Sequence, residues 1–287
     1  MSRLMPSVEL PREWAPIMAT WDLPDQDALI AAFHDGAHPA RDLIDGGDFA
    51  DRLRAAVAGP DCSALVRYPD NVSVRAAGLV VGHVFGGDLA PCPPPLDPPL
   101  LEMPSREIAG WKKEWHTDGL PWFEPNRWTI IGVTTFNDEY RDAKTDVLPI
   151  EHIVDGWPGW EKHKEVFTGH KLNWRRQPTD AGLPPMMKPL LDQGTPRWHM
   201  KVFNTVVDEP GEVGEAFAAL RDRIDEVDDG WASAVTQPGS MIVIDNRRGV
   251  HRAPRVTDPL RRQLLRIKLG GQPYGPDESQ PHDTDGS

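Results

Sequence analysis

Apolar positions change their period near the middle of the chain. In the first hundred residues they recur at helical spacing. The segment DQDALIAAF after Pro24 predicts a short helix, and DFADRLRAAVAG from Asp48 predicts another, with Phe49, Leu53, Ala56 and Val57 along one side. Residues 71–86, NVSVRAAGLVVGHVFG, are apolar and alanine-rich and predict a third helix, weakened by its glycines. The run PCPPPLDPPL at 91–100 then breaks the pattern. Its prolines lack donors and push their predecessors toward extended backbone, so it reads as a surface crossing to the next layer.

Beyond that crossing, β-branched and aromatic runs take over. WTIIGVTTF at 128–136, MIVIDN at 241–246 and QLLRIKL at 263–269 predict strands, and RWHMKVFNTVV at 197–207 predicts a further one. The turn signal Gln237, Pro238, Gly239, Ser240 leads into MIVIDN. One helix interrupts them: EVGEAFAALRDRIDEV places Val213, Phe217, Leu220, Ile224 and Val227 on a single stripe. Spaced strands with few helices predict an antiparallel barrel or sandwich rather than a doubly wound sheet, and no Gly-rich nucleotide loop follows any strand. Residues 178–196 read as a long loop able to cover a pocket. The expected organisation is one catalytic domain over 1–270, helical in 1–100 and β-rich in 101–270, with 271–287 as a flexible polar tail.

Composition narrows the partners. At 287 residues and 39% hydrophobic the chain can bury a large core, and 31 Lys and Arg against 44 Asp and Glu give a net charge of -13. That charge repels a phosphate backbone, so no nucleic acid is expected. The basic group Arg247, Arg248, Arg252, Arg255, Arg261, Arg262 and Arg266 has no interleaved aromatics and reads as a pocket lining for small carboxylates. Cys62 and Cys92 are too few for a disulfide scaffold and fit a reducing compartment. With neither a long apolar run nor an export signal, the expectation is a cytoplasmic protein that binds no membrane. Oligomeric state is left open.

The candidate chemistry begins with His116 and Asp118. On an extended chain the i, i+2 spacing puts both side chains on one face, able to share a metal. The pattern alone is weak: 10 His and 44 acidic residues in 287 give about 1.5 such pairs by chance, and His163/Glu165 also matches. Context separates them. His116 follows Trp111 and Trp115, precedes Trp122, and leads into the strand at 128. A third ligand should come from another strand, and His251 stands just past SMIVIDNRRGV, where a strand ends. Two imidazoles and a carboxylate form a facial set that suits iron(II) and leaves open positions. Asp245 and Asn246 are read instead as an Asx turn closing their strand.

WHTDG at 115–119, AKTDVLP at 143–149 and GSMIVIDNRRGVHRAPRVTDPLRRQLLRIKL at 239–269 resemble the iron(II)/2-oxoglutarate dioxygenases of the taurine dioxygenase and clavaminate synthase-like superfamily. The resemblance covers roughly residues 110–270. It implies a mainly β fold with added helices, the double-stranded β-helix or jelly roll. It also implies His116, Asp118 and His251 as iron ligands, Thr145 as a hydroxyl on 2-oxoglutarate, and Arg262 as the partner of its distal carboxylate. Arg266, four residues on, is the rival anchor, or else pairs with a substrate anion or a structural acid. Arg252 stands where the clavaminate-like branch often has glycine.

The implied activity is oxidation of a small molecule with iron(II), 2-oxoglutarate and dioxygen. C–H hydroxylation is the leading outcome, with desaturation or cyclisation as variants. An amino acid or a natural-product intermediate is the expected substrate class. Halogenation is disfavoured, because Asp118 occupies the place that family halogenases leave for chloride. A zinc hydrolase and a noncatalytic jelly-roll binding protein are the rival classes. Trp115, Trp122, Phe123, Trp128, Trp174 and Trp198 are candidates for an entrance lining.

Overall fold

The computed structural model describes residues 3–45, 47–92, 96–104, 115–135, 143–175, 183–227, 232–253 and 262–275. Two short strands, β1 (Arg3–Leu4) and β2 (Ser7–Glu9), precede four helices: α1 (Ala15–Met18), α2 (Gln26–His34), α3 (Ala40–Asp45) and α4 (Phe49–Ala58). β3 (Ser63–Arg67) and α5 (Val74–Val84) follow. Helix starts are fixed by side chains: Asp25 accepts from the Ala28 N–H at α2, and Ser73 from the Ala76 N–H at α5. The glycines of α5 allow close approach rather than breaking the helix. A β-carbon at Gly82 would lie 2.6 Å from Phe33, and one at Gly78 3.1 Å from Ile267.

The rest of the chain carries β4 (Leu100–Pro104), β5 (Trp128–Thr135), β6 (Lys144–Pro149), α6 (Ile150–Val154) and α7 (Pro158–Gly169). Then come β7 (Leu172–Asn173), β8 (Met187–Lys188), β9 (Leu191–Asp192), β10 (Thr195–Pro196), α8 (Met200–Phe203) and α9 (Glu212–Glu226). The last strands are β11 (Ala232–Val235), β12 (Ser240–Asp245), β13 (Gly249–Arg252) and β14 (Gln263–Leu269). One sheet runs β2-β3-β12-β5-β14-β4 and another β1-β11-β6-β13. Their internal pairings are antiparallel, except that β1 and β2 join the sheets in parallel.

Alternation along β12 explains the layering. Met241 and Val243 face the N-terminal helices with Ile130, Leu265 and Ile267. Ile242 and Ile244 face the other way and pack with Ile131, Val147, Ala232 and Ala234, which joins the two sheets. Burial on both faces is why MIVIDN shows no polar alternation. The far face of the four-stranded sheet carries Leu148 and Val250 against Phe167, Phe217, Leu220 and Ile224. Helices therefore cover both outer faces of a stacked pair of sheets.

Several expectations change. Helices hold more of the described residues than strands do, so the fold is mixed α/β rather than mainly β. Residues 197–207 form no strand beyond one bridge at His199; α8 begins there, with His199 Nδ1 accepting from Lys201 N–H. Phe203 and Val206 are buried three apart, a helical spacing that masquerades as an apolar run. The expected loop at 178–196 contains β8 and the β9–β10 hairpin, with Gln193 and Gly194 turning at φ 50° and 82°. Residues 176–182 lie outside the described part. The packed chain also runs past 270 into the expected tail: Gln272 bridges to Glu124, and Tyr274 is buried.

Candidate metal centre

The segment carrying His116 adds to the edge of β13. His116 N–H donates to the His251 carbonyl at 3.0 Å and His251 N–H to that of His116 at 2.9 Å, while Thr117 N–H reaches the Trp198 carbonyl on the other side. Opposed residues in a bridge share a face, so the two imidazoles meet, with ring centroids 4.3 Å apart. Gly119 then turns the chain at φ 67°, where a β-carbon would lie 2.6 Å from Asn126 Oδ1. That turn brings Asp118 Oδ2 to 3.5 Å from His251 Nε2. One ligand atom from each of His116, Asp118 and His251 lies within 4.8 Å of the others. The expected triad is therefore assembled, on the face turned toward the six-stranded sheet.

Asp118 and His251 are 5% and 4% exposed. Burial alone would raise the Asp118 pKa, but the Arg266 guanidinium, and after it His251 and His116, hold the carboxyl far below its usual range. His251 is pushed down to about 3, by burial first and by His116 next, so its imidazole is neutral at pH 7. An anionic carboxylate and neutral imidazole nitrogens are the protonation states that bind a divalent metal. The donor set, its convergence and its burial fit iron(II).

The surroundings of Asp118 went unread in the sequence. Asn246 Oδ1 accepts from Asp118 N–H at 2.7 Å, and Asn246 Nδ2 donates to the carbonyls of Asp118 and Asn126. Thr129 Oγ1 donates to Asp118 Oδ2 at 3.0 Å. Arg266 lies 3.4 Å from Asp118 Oδ1 and makes two 2.8 Å hydrogen bonds to Asp97, which also holds Lys268 at 2.9 Å. Asp97 comes from the proline-rich crossing, and nothing in that run signals a charge partner. Lys268 did leave a trace, because it repeats the i, i+2 face of Leu264 and Arg266 on a buried strand. The Asx turn is made by Asp245 alone, whose Oδ1 accepts from Arg247 N–H.

Thr145 is buried on β6, two residues from Val147, the cross-strand partner of His251, and its Oγ1 lies 3.3 Å from that of Thr236. Arg262 is 1% exposed, and burial pushes its pKa down to about 10. It precedes β14, and the register of β14 shifts between Gln263 and Leu264, so Arg262 and Arg266 do not sit on one regular strand as their spacing suggested. The arginines do not line one pocket either. Arg252 pairs with Asp146 at 2.7 Å on the opposite face of the sheet and stacks over Trp115, while Arg248 pairs with Glu151. Arg255 and Arg261 lie outside the described residues, as does Trp111. His163 is buried in α7 beside Phe167. Of the candidate entrance aromatics, Trp115, Trp122, Trp174 and Trp198 are core residues.

No protein-family model matches the chain, and no curated protein matches it significantly. Solved structures do match. The non-heme iron oxygenase OrfP with Fe, succinate and (3S)-hydroxy-L-Arg superposes with a TM-score of 0.64 at 16% identity, over 92% of this chain and 94% of that one. OrfP with Fe and alpha-ketoglutaric acid gives 0.61 at 17%, over 92% and 94%. Asparagine oxygenase with Fe(II), 2S,3S-3-hydroxyasparagine and succinate gives 0.61 at 16%, over 92% and 93%. This chain has the fold of these non-heme iron oxygenases.

Proposed function

We propose that this chain is an iron(II)- and 2-oxoglutarate-dependent dioxygenase that hydroxylates a small, amino-acid-like molecule. The observation that carries the reading is the convergence of His116, Asp118 and His251 within a fold shared with two oxygenases whose structures hold iron and hydroxylated amino acids. The stacked sheets are read as the two halves of a jelly roll, and residues 1–270 as one catalytic domain. Among the described residues no helix is long and apolar enough to cross a membrane. A reducing cytoplasm suits both iron(II) and the free Cys62 and Cys92.

Iron bound by the triad, with 2-oxoglutarate and dioxygen, supplies the oxidising power for breaking a C–H bond. The chain's own part is to hold its ligands still and keep water out. Neutral His251 offers a lone pair, and Asp118 stays anionic because Arg266 faces it. Arg262 is the proposed partner of the distal 2-oxoglutarate carboxylate, since a planar fork gives two charged hydrogen bonds and Arg266 is already engaged by Asp97 and Asp118. Thr145 is proposed as a further cosubstrate contact. Both roles draw support from the family resemblance and from the burial of these residues.

The test is anaerobic iron loading followed by air, 2-oxoglutarate and a pool of free amino acids, with succinate and mass shifts of one added oxygen as readouts. His251→Ala is expected to abolish iron-dependent succinate release while keeping the fold. Normal iron stoichiometry and turnover in that variant would sink the reading. A loss of two hydrogens would mark desaturation or cyclisation, and hydrolysis without oxygen would favour a zinc enzyme.

A further inference from the structure

A cleft lies on the side of the four-stranded sheet away from the proposed metal ligands. Its volume is about 190 Å³, and Ile150, Val154, Trp160, Leu190, Pro196 and Trp198 give it apolar walls. The β9–β10 hairpin, part of the segment whose sequence suggested a cover, forms one wall. Side-chain alternation separates this cleft from the iron ligands. His251 turns to Asp118, whereas its neighbour Val250 packs in one cluster with Leu190 and Trp198.

Two polar hydrogens here are unaccounted for. The indole Nε1 of Trp198 and the Nε of Arg247, both lining residues, are buried and have no hydrogen-bond partner among the described residues. Each can only donate. A buried donor without an acceptor is costly, and such groups are rare in folded proteins unless something else satisfies them. The nearby carboxylates are occupied. Glu151 is held by Arg248 at 3.3 Å, and Asp245 accepts from the Arg247 backbone. Among the described residues the Arg247 guanidinium makes one long contact, 3.5 Å to the Gly270 carbonyl. The cleft is therefore lined by apolar walls and by two residues with unsatisfied donors, one of them a cation without a salt bridge among the described residues. Its volume falls below the ~300–1,000 Å³ of drug-sized pockets, which limits the occupant to one ring or a short branched chain.

We propose that this cleft is a second small-molecule site, taking a compact monocarboxylate with an apolar body whose acid group accepts from Trp198 Nε1 and the Arg247 guanidinium. An occupant would touch Trp198, whose carbonyl accepts the Thr117 N–H between His116 and Asp118.

The test titrates phenylacetate calorimetrically into the full chain, once metal-free and once loaded anaerobically with iron(II) and 2-oxoglutarate. Binding is expected in both states, and phenylacetamide, which keeps the ring and loses the charge, should bind about 10-fold more weakly. Trp198→Phe keeps the ring and removes the donor, and Arg247→Gln removes the cation at an accessible turn. Each should weaken phenylacetate by about 10-fold as well. Val154→Trp, which fills the cleft from a half-buried helix position, should abolish binding. Thermal unfolding of each variant checks that the fold survives. Four outcomes would overturn the proposal: no heat up to millimolar phenylacetate, equal binding of the amide, binding only to the iron-loaded protein, or unchanged affinity in folded Arg247→Gln and Val154→Trp. None of them bears on whether the iron-loaded enzyme releases succinate.

Discussion

Asn246 grips the backbone of Asp118 rather than its carboxylate, accepting from its N–H and donating to its carbonyl. A side chain that binds both polar groups of one residue fixes where that residue's α-carbon sits, and through it where the carboxylate can reach. Asn246→Ala is expected to weaken iron(II) by about 10- to 100-fold, the usual cost of losing a supporting contact behind a metal ligand. An anaerobic iron titration measures it, and wild-type affinity would refute the role. The two arginines should separate by a different readout. Arg262→Ala should raise the 2-oxoglutarate concentration for half-maximal succinate release by about 10-fold. Arg266→Ala should instead weaken iron, because Asp118 loses its facing cation. A reversed pattern would make Arg266 the anchor. The three residues of the proposed triad were legible as residue types at telling positions. Their supports were not, because the division of labour between Asp245 and Asn246 depends on where the Asp118 segment arrives, 128 residues away in sequence. No local pattern encodes that meeting.

Within single elements, β13 depends on a glycine. A β-carbon at Gly249 would lie 2.6 Å from Cys62 Sγ and 3.0 Å from Val147 Cγ1, two residues before His251. Gly249→Ala should therefore cost about 1–3 kcal/mol by overpacking. Combining it with Cys62→Ala should recover part of that loss, and urea unfolding of both single variants and the double variant would measure the coupling. Helix α5 carries a pH-sensitive group. Burial first, then Arg41 and His38, push His83 down to about 4, and its buried Nε2 has no hydrogen-bond partner among the described residues. Above its unfolded value near ~6.5 both states are neutral and no dependence arises. Between that value and about 4 the unfolded chain takes up a proton that the folded one refuses, so stability falls as pH falls. His83 is only part-buried, and allowing for solvent screening the loss should be about 1 kcal/mol between pH 7 and 5. The urea midpoint should show that slope, and His83→Gln should flatten it; equal slopes would remove the assignment. Long elements were legible, because α9 and β12 repeat their pattern over many residues. The four residues of α8 and the two-residue strands β7 to β10 are too short to display a period.

For the whole molecule, the layered arrangement came from the family resemblance rather than from periodicity, which predicts faces but not which faces meet. The site is assembled from parts far apart in sequence, since His116 and His251 are 135 positions apart and meet only through the bridge between them. Iron would thus engage only a chain in which the His116 segment has already docked on β13. A ligand that binds the finished structure alone adds stability by mass action, and contacts absent from the folding transition state act on the unfolding rate. Under anaerobic conditions, rising iron(II) should slow unfolding in guanidinium jumps and leave the refolding rate unchanged, and faster refolding would place the site earlier on the pathway. On the proposed reading the split site would act as a clock: the iron available would set how long each folded copy survives, so metal scarcity would shorten the protein's lifetime as well as silence its chemistry.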